Sequence, residues 1–253
     1  MPKKVTLYRE NTSFETDHGL TIVNRLGIGS GLNDLYGEEV ALSTPLFYFI
    51  LNQTGDSNPV DSSGNGLAAV LDAPYSWGAP GPVSGYTALG LSGGRFQTSR
   101  VALSGNQTRL AFVKLTSTKN TSTYEGDASL TVMGDSHAET WDSFGITDGK
   151  VNYRRFNNST WQSFSGTDVV NDGSWHMIAM TYDSSTRAVV LYTDGTPDGG
   201  GTVSAHQNYG GILQYGRGYS ALDNFDGTLG HLSAWDRVLT SGEIYTLYAA
   251  AIA

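Results

Sequence analysis

Residues 172–195, DGSWHMIAMTYDSSTRAVVLYTDG, decide the fold class. Two runs rich in β-branched and aromatic residues, 175–182 and 188–193, flank a polar break at residues 183–187. In the first run Ile178, Met180 and Tyr182 fall on one face and Met177, Ala179 and Thr181 on the other; in the second, Val189 and Leu191 oppose Val190 and Tyr192. Period-two alternation around a short polar break predicts an antiparallel hairpin, because successive strand side chains point to opposite faces. Asp194-Gly195 closes the second strand with a pair that tolerates positive φ.

Working outward, the same pattern recurs. Residues 109–115 alternate Leu110, Phe112 and Lys114 against Ala111, Val113 and Leu115. Strands are also predicted over 88–91, 95–98, 128–133, 141–146 and 150–156, with Thr147-Asp148-Gly149 as a hairpin turn. The continuous apolar run 46–51 reads as a strand buried on both faces. Pro74, Pro80 and Pro82 with their glycines predict a loop over 73–85. One helix is expected near the C-terminal end. Thr240-Ser241-Gly242-Glu243 forms a capping box, followed by Ile244, Leu247, Tyr248 and Ala251 at helical spacing. About a dozen short strands separated by turns predict an all-β, two-sheet antiparallel jelly-roll sandwich over residues 45–253.

Residues 1–44 differ. They are too poor in apolar residues for a core of their own, and short strands are expected only at 5–8 and 20–23. This segment reads as an N-terminal arm that orders against a neighbouring chain. Its Gly27-Ile28-Gly29-Ser30-Gly31 string lacks both a βαβ setting and a following Lys-Ser/Thr, so it predicts no nucleotide site.

Composition narrows the function. A net charge of −9 and no cysteine argue against nucleic-acid binding, disulfides and thiolate chemistry. No run of about 18 apolar residues spans a membrane. No apolar stretch follows Lys3 and Lys4, so no secretory signal is expected. On that reading the product is made in a cytosol and leaves by lysis or a dedicated machine. The six Asn-x-Ser/Thr triplets read as polar turn residues rather than glycan acceptors.

A family likeness rests on Asp172-Gly-Ser-Trp-His176, Ala179-x-Thr-Tyr-Asp183, Leu191-Tyr-x-Asp-Gly195, Tyr215-Gly-Arg217, Phe225-x-Gly227 and Leu239-Thr-x-x-Glu-Ile244. The chain resembles the laminin-G-like branch of the concanavalin A-like lectin/glucanase superfamily from about Pro45 to Ala253. The resemblance implies a jelly roll of two antiparallel sheets. It also implies that calcium, where bound, would use oxygens of the Asp61–Gly66 loop and an acidic residue near the position that Gly230 holds here. No cofactor is expected; calcium is the one ligand left open, with its acidic partner missing.

Catalysis finds little support. The superfamily's glucanases place three carboxylates on one strand face, whereas Glu125-Gly126-Asp127-Ala128-Ser129-Leu130 ends in leucine. The five histidines (18, 137, 176, 206 and 231) form no ligand pair, and His176 reads as structural. For sugar binding, Trp141, Trp161, Tyr209 and Tyr219 lie in polar or glycine-rich text and are candidate stacking platforms, whereas Trp175 and Trp235 read as core. The sequence therefore points first to a non-enzymatic bacteriophage virion protein, a capsid decoration or head- or tail-attached component, with the arm docking it to other virion proteins or to copies of itself. Weak adhesion to a host-surface glycan would ride on the same domain. The alternative is a free-standing or appended carbohydrate-binding module, and a jelly-roll glycosidase or lyase comes third.

Overall fold

In the computed structural model the described residues are 12–15, 21–24, 35–99, 103, 105–116, 130–136, 140–157, 160–204, 212–216 and 225–253. The chain divides into two compact units, Met1–Asn33 and Asp34–Ala253. In the first, β1 (Thr12–Glu15) and β2 (Thr21–Asn24) pair antiparallel, Thr12 opposite Asn24. The strand expected at 5–8 lies outside the described residues.

The second unit starts with a helix that the sequence reading placed inside the arm, α1 (Leu35–Leu42). Only Tyr36 and Val40, one turn apart, are buried there, too few to announce a helix by periodicity. Then follow β3 (Phe47–Phe49), β4 (Ala69–Asp72), β5 (Tyr75–Pro80), β6 (Thr87–Ser92), β7 (Arg95–Thr98) and β8 (Gln107–Lys114). Next come β9 (Leu130–Ser136), β10 (Thr140–Thr147), β11 (Lys150–Asn157) and β12 (Thr160–Val169). The chain ends with β13 (Trp175–Asp183), β14 (Ala188–Thr193), β15 (Thr196–Thr202), β16 (Ile212–Tyr215), β17 (Asp226–Trp235) and α2 (Ser241–Ala251).

Two antiparallel sheets make the expected sandwich. One has the order β12-β11-β10-β9-β16-β7-β4, the other β15-β14-β13-β8-β17-β6-β5, with β3 also paired to β17. The alternations read from sequence sort onto two separate apolar layers. Ile178, Met180, Tyr182, Val189, Leu191, Ala111, Val113 and Leu115 lie between the sheets. Met177, Ala179, Val190, Tyr192, Leu110 and Phe112 lie on the outward face of the eight-stranded sheet, where Tyr36 and Val40 of α1 and Ile244, Leu247 and Ala251 of α2 pack on them. β3 is buried on both faces, Phe47 and Phe49 inward and Tyr48 outward. The capping box of α2 forms in both directions, Glu243 N donating to Thr240 Oγ1 at 3.2 Å and Thr240 N donating to the Glu243 carboxylate at 2.8 Å.

Residues 75–80, expected as loop, are instead edge strand β5. Proline is tolerated there because an edge strand leaves one side of its backbone unpaired. A bulge between Trp77 and Ala79 and positive φ at Gly78 break the edge's regularity, which discourages pairing with another chain. At the opposite margin Asp198 joins β12 to β15 and β14. Its Oδ1 accepts from Thr167 N at 2.8 Å and its Oδ2 from Thr193 Oγ1 at 2.7 Å.

Candidate functional site

With α1 and α2 packed on the eight-stranded sheet, the outward face of the seven-stranded sheet is the other broad surface of the sandwich. Its geometry is set by two consecutive hairpins. Asp148 and Gly149, at φ 55° and 71°, make the tight turn between β10 and β11 and place Trp141 opposite Phe156. The next pairing places Phe156 opposite Trp161. Positions 141, 156 and 161 thus form one row across three strands. Ser136 and Ile212 extend that row over β9 and β16. A parallel row two residues along runs through Ser143, Arg154 and Ser163, and continues to Gly134, Gln214 and Gln97.

Where side chains are described, this is an aromatic patch with a polar surround. The Phe156 and Trp161 rings lie 5.0 Å apart at 44°. The Arg154 guanidinium sits 4.7 Å from the Trp161 ring centre. Asn152 Nδ2 approaches Ser163 Oγ, Ser165 Oγ and Phe164 O at 2.9–3.0 Å. Farther along, Arg95 pairs with Asp72 at 2.9 Å and reaches Gln214 Oε1 at 3.2 Å. The half-buried Phe156 and Trp161 rings beside the exposed Ser163 and Ser165 suit the two chemistries of a sugar, an apolar C–H face and a rim of hydroxyls, while Asn152 and Arg154 are themselves buried.

Of the four platforms expected from sequence, Trp161 is half-buried on this face, and Trp141 holds the adjoining register position. Tyr209 and Tyr219 lie outside the described residues. Sequence reasoning missed Phe156 and Arg154; the signal lay in hairpin register, which pairs 156 with both tryptophan positions. Trp235 is fully buried, its Nε1 donating to Ser43 Oγ at 3.0 Å, and Trp175 packs against the same outer layer.

The Asp61–Gly66 loop does not fit the calcium role that the resemblance left open. Both carboxylate oxygens of Asp61 accept backbone amides, Oδ1 from Tyr48 and Ser63 at 3.0 Å each and Oδ2 from Leu67 at 2.9 Å. Burial alone would raise this carboxyl's pKa, but the amides outweigh it and hold it below the usual range. Gly230 lies opposite Phe112, and a Cβ there would come within 2.8 Å of Pro82 Cδ. An acidic side chain is thus sterically opposed at that position. Among the described residues no group of three His, Asp or Glu side chains is arranged to hold a metal.

His176 is held between two carboxylates, Nδ1 2.8 Å from Asp194 and Nε2 3.2 Å from Asp172. Burial opposes its charge, yet these hydrogen bonds win and raise its pKa. Asp194 Oδ1 also accepts Met177 N at 2.9 Å, so the trio pins both ends of the organising hairpin. Through these bonds His176 ties Asp172 to Asp194 beside the first strand of the hairpin. The Glu125–Leu130 text lies outside the described residues up to Ser129. A separate cleft of about 350 Å³, among β5, β6 and β17, is lined by Ser76, Gly90, Ser92, Asp226 and Thr228, among others. Trp161 does not line it.

Comparison with known proteins agrees with this architecture. The family model Laminin_G_3, of the concanavalin A-like lectin/glucanases superfamily, matches residues 91–245. Neuronal pentraxin-1 of Homo sapiens is 37% identical over 89 residues, covering 31% of this chain and 21% of the relative. The chain therefore spans about a fifth of the length of that curated relative. Among solved structures, the binding domain of Paraclostridial Mosquitocidal Protein 1 superposes with a TM-score of 0.66 at 10% identity, over 82% of this chain and 52% of that one. The binding domain of Botulinum Neurotoxin DC in complex with SialylT gives 0.65 at 12% identity, over 83% and 52%. Domain 4 of AbnA, an extracellular arabinanase of Geobacillus stearothermophilus, in complex with arabinotriose, gives 0.62 at 16% identity, over 81% and 98%. At these identities the likeness is one of fold.

Proposed function

The chain belongs to the concanavalin A-like lectin/glucanases superfamily, and from that premise we propose that it is a non-catalytic carbohydrate-binding module whose binding face is the outward surface of the seven-stranded sheet. One observation carries the reading: the register that aligns positions 141, 156 and 161 in a single row, with Trp161 and Phe156 in ring contact. Two of its structural neighbours, solved with arabinotriose and with SialylT, support a glycan as the ligand class. The fold by itself would not, because one fold hosts many sites.

The test is a binding screen of the full chain against soluble cello-, xylo-, manno-, arabino- and sialyl-oligosaccharides, repeated with Trp161→Ala. At least one sugar should bind, and Trp161→Ala should weaken it by about tenfold or more, a loss of roughly 1.4 kcal/mol. Undiminished binding by Trp161→Ala would place the site elsewhere.

The virion setting that the sequence reading put first draws no support from the comparisons, so the binding module now takes first place. What remains of it is a proposal about residues 1–33: that this separate unit docks the module to an assembly or to copies of itself. Mass by light scattering on the full chain and on a chain starting at Asp34 tests this. An oligomer that the shorter chain cannot form supports a docking unit, and two monomers at all concentrations remove self-association from the account.

A further inference from the structure

We infer that the cleft among β5, β6 and β17 is a second ligand site, built to take one neutral, polyhydroxylated unit such as a single sugar residue. It lies on the broad face opposite the aromatic row and does not depend on that row binding anything. Register builds it. Leu89 and Leu91 of β6 are buried between the sheets, so Gly90 between them faces outward. Ser76 of β5 lies opposite Gly90 on one side and Thr228 of β17 on the other. Two positions along, Ser92 lies opposite Asp226. These five residues, from three neighbouring strands, line one space of about 350 Å³. That volume falls within the range of small-molecule sites. None of the five belongs to the apolar layer on which α1 and α2 pack.

Two features set the cleft apart from ordinary wetted surface. Gly90 lies outside the left-handed region, so its backbone does not demand glycine; a Cβ there would instead come within 2.5 Å of Ser76 Oγ. Glycine is thus what leaves room beside Ser76. The second feature is convergence. Ser76 and Ser92 are exposed and Thr228 is half-buried, and among the described residues the hydroxyls of all three make no hydrogen bond. Each hydroxyl both donates and accepts, and the Asp226 carboxylate beside them accepts. An anion would meet that carboxylate, and a cation would offer only donors to the hydroxyls. Sugar hydroxyls, which donate and accept, match the whole set, and a neighbouring pair of them can span the two carboxylate oxygens.

The experiment titrates the full chain with the methyl glycosides of glucose, galactose, mannose, xylose and arabinose, and follows the backbone amides of residues 76, 90, 92 and 228 by NMR. At least one glycoside should move these amides saturably. Thr228→Val, which keeps the β-branched shape and removes the hydroxyl, should weaken that glycoside about two- to tenfold, the scale of one hydrogen bond. Gly90→Ala should weaken it about tenfold or more, the scale of one extra carbon in a fitted pocket. The two variants act by different routes, so loss of fold in one leaves the other as the test. Trp161→Ala should leave the cleft's response unchanged. Amides that no glycoside moves, a folded Gly90→Ala that binds like wild type, or a response that disappears with Trp161→Ala would each rule the cleft out as a site of its own. Oligosaccharide binding that Trp161→Ala abolishes, with these four amides still throughout, removes the cleft and keeps the module reading; a saturable response here with none at Trp161 does the reverse.

Discussion

Asp142→Ala is expected to lower folding stability by about 3–5 kcal/mol, because it breaks a buried ion pair by removing one partner. Arg109 on β8 and Asp142 on β10 come from opposite sheets and meet inside the sandwich in a two-pronged ion pair, Nη1–Oδ1 at 2.9 Å and Nη2–Oδ2 at 2.8 Å. Their side chains are 1% and 4% exposed. Around them Gln107 Oε1 accepts from Arg109 Nε at 2.9 Å, and the Tyr153 hydroxyl donates to Asp142 Oδ2 at 3.4 Å. Burial, then the neighbouring Asp142 carboxylate, push the Tyr153 pKa far above its usual value, so that hydroxyl remains a donor. Removing Asp142 takes a two-pronged carboxylate partner from a guanidinium in a low-dielectric interior. A double variant, Arg109→Met with Asp142→Leu, removes both charges and should recover most of the loss. Urea denaturation of the two single variants and the double measures this. A single-variant loss below about 1 kcal/mol would mean that the pair does not hold the sheets together.

The second large effect is acid destabilisation through His231. This residue lies at a bulge in β17 in the left-handed region, at φ 48°, and is fully buried. Its ring is enclosed by Tyr36 of α1, Tyr48 of β3, Tyr86 ahead of β6 and Phe112 of β8, with centroids 5.0–6.1 Å away. Nδ1 shares a 2.6 Å hydrogen bond with the Tyr48 hydroxyl, while Nε2 makes none among the described residues. Burial therefore pushes its pKa down to about 3. The sign follows from proton uptake: between pH 3 and 6.5 the unfolded chain holds a proton here that the folded chain lacks. Stability is complete above the free-histidine value and falls as pH drops through this window, by up to about 1.4 kcal/mol per pH unit.

Other groups surround the window. Asp61, Asp183, Asp198 and Glu243, all held below their usual values, lose their contribution only in stronger acid. Glu39 of α1, raised by burial and by the Glu243 carboxylate, acts with the opposite sign just above the normal carboxyl range. His176, raised, contributes stability at low pH that is lost as pH climbs through its folded value. Among these groups it is His231 whose titration makes stability rise with pH between about pH 5 and 6.5. His231→Asn tolerates the left-handed backbone and removes the titration. Denaturation at pH 5.0 and 6.5 should show a marked slope for wild type and a flattened one for the variant. Equal slopes would mean that the imidazole is not held neutral by burial.

The sandwich was legible because its central strands carry clean alternation. Met177, Ala179, Leu110 and Phe112 sort to one layer and Ile178, Met180, Ala111 and Val113 to the other, as their spacing implied. Two elements were not legible, each for a local reason. α1 buries only Tyr36 and Val40, and its stability comes from packing on Tyr48, Phe112 and the helix that follows 200 residues later in sequence. β5 carries the Pro and Gly of a loop because it is an edge. The candidate site was half visible. Trp141 and Trp161 stood out as aromatics in polar text, but what aligns these positions is register, which places Phe156 between them. Phe156 and Arg154 on β11 looked like ordinary strand residues, because a single strand read alone does not reveal its neighbours.

Whether this aromatic row binds sugar can be measured directly, because the chain has five tryptophans. Indole N–H resonances, assigned by single Trp→Phe substitutions, are followed while the full chain is titrated with the oligosaccharide that binds in the screen. The Trp161 and Trp141 resonances are expected to move in proportion to occupancy, while those of Trp175 and Trp235, packed on the other sheet, stay in place. Movement of Trp77, Trp175 or Trp235 with Trp141 and Trp161 unchanged would contradict it and put the binding face elsewhere on the sandwich.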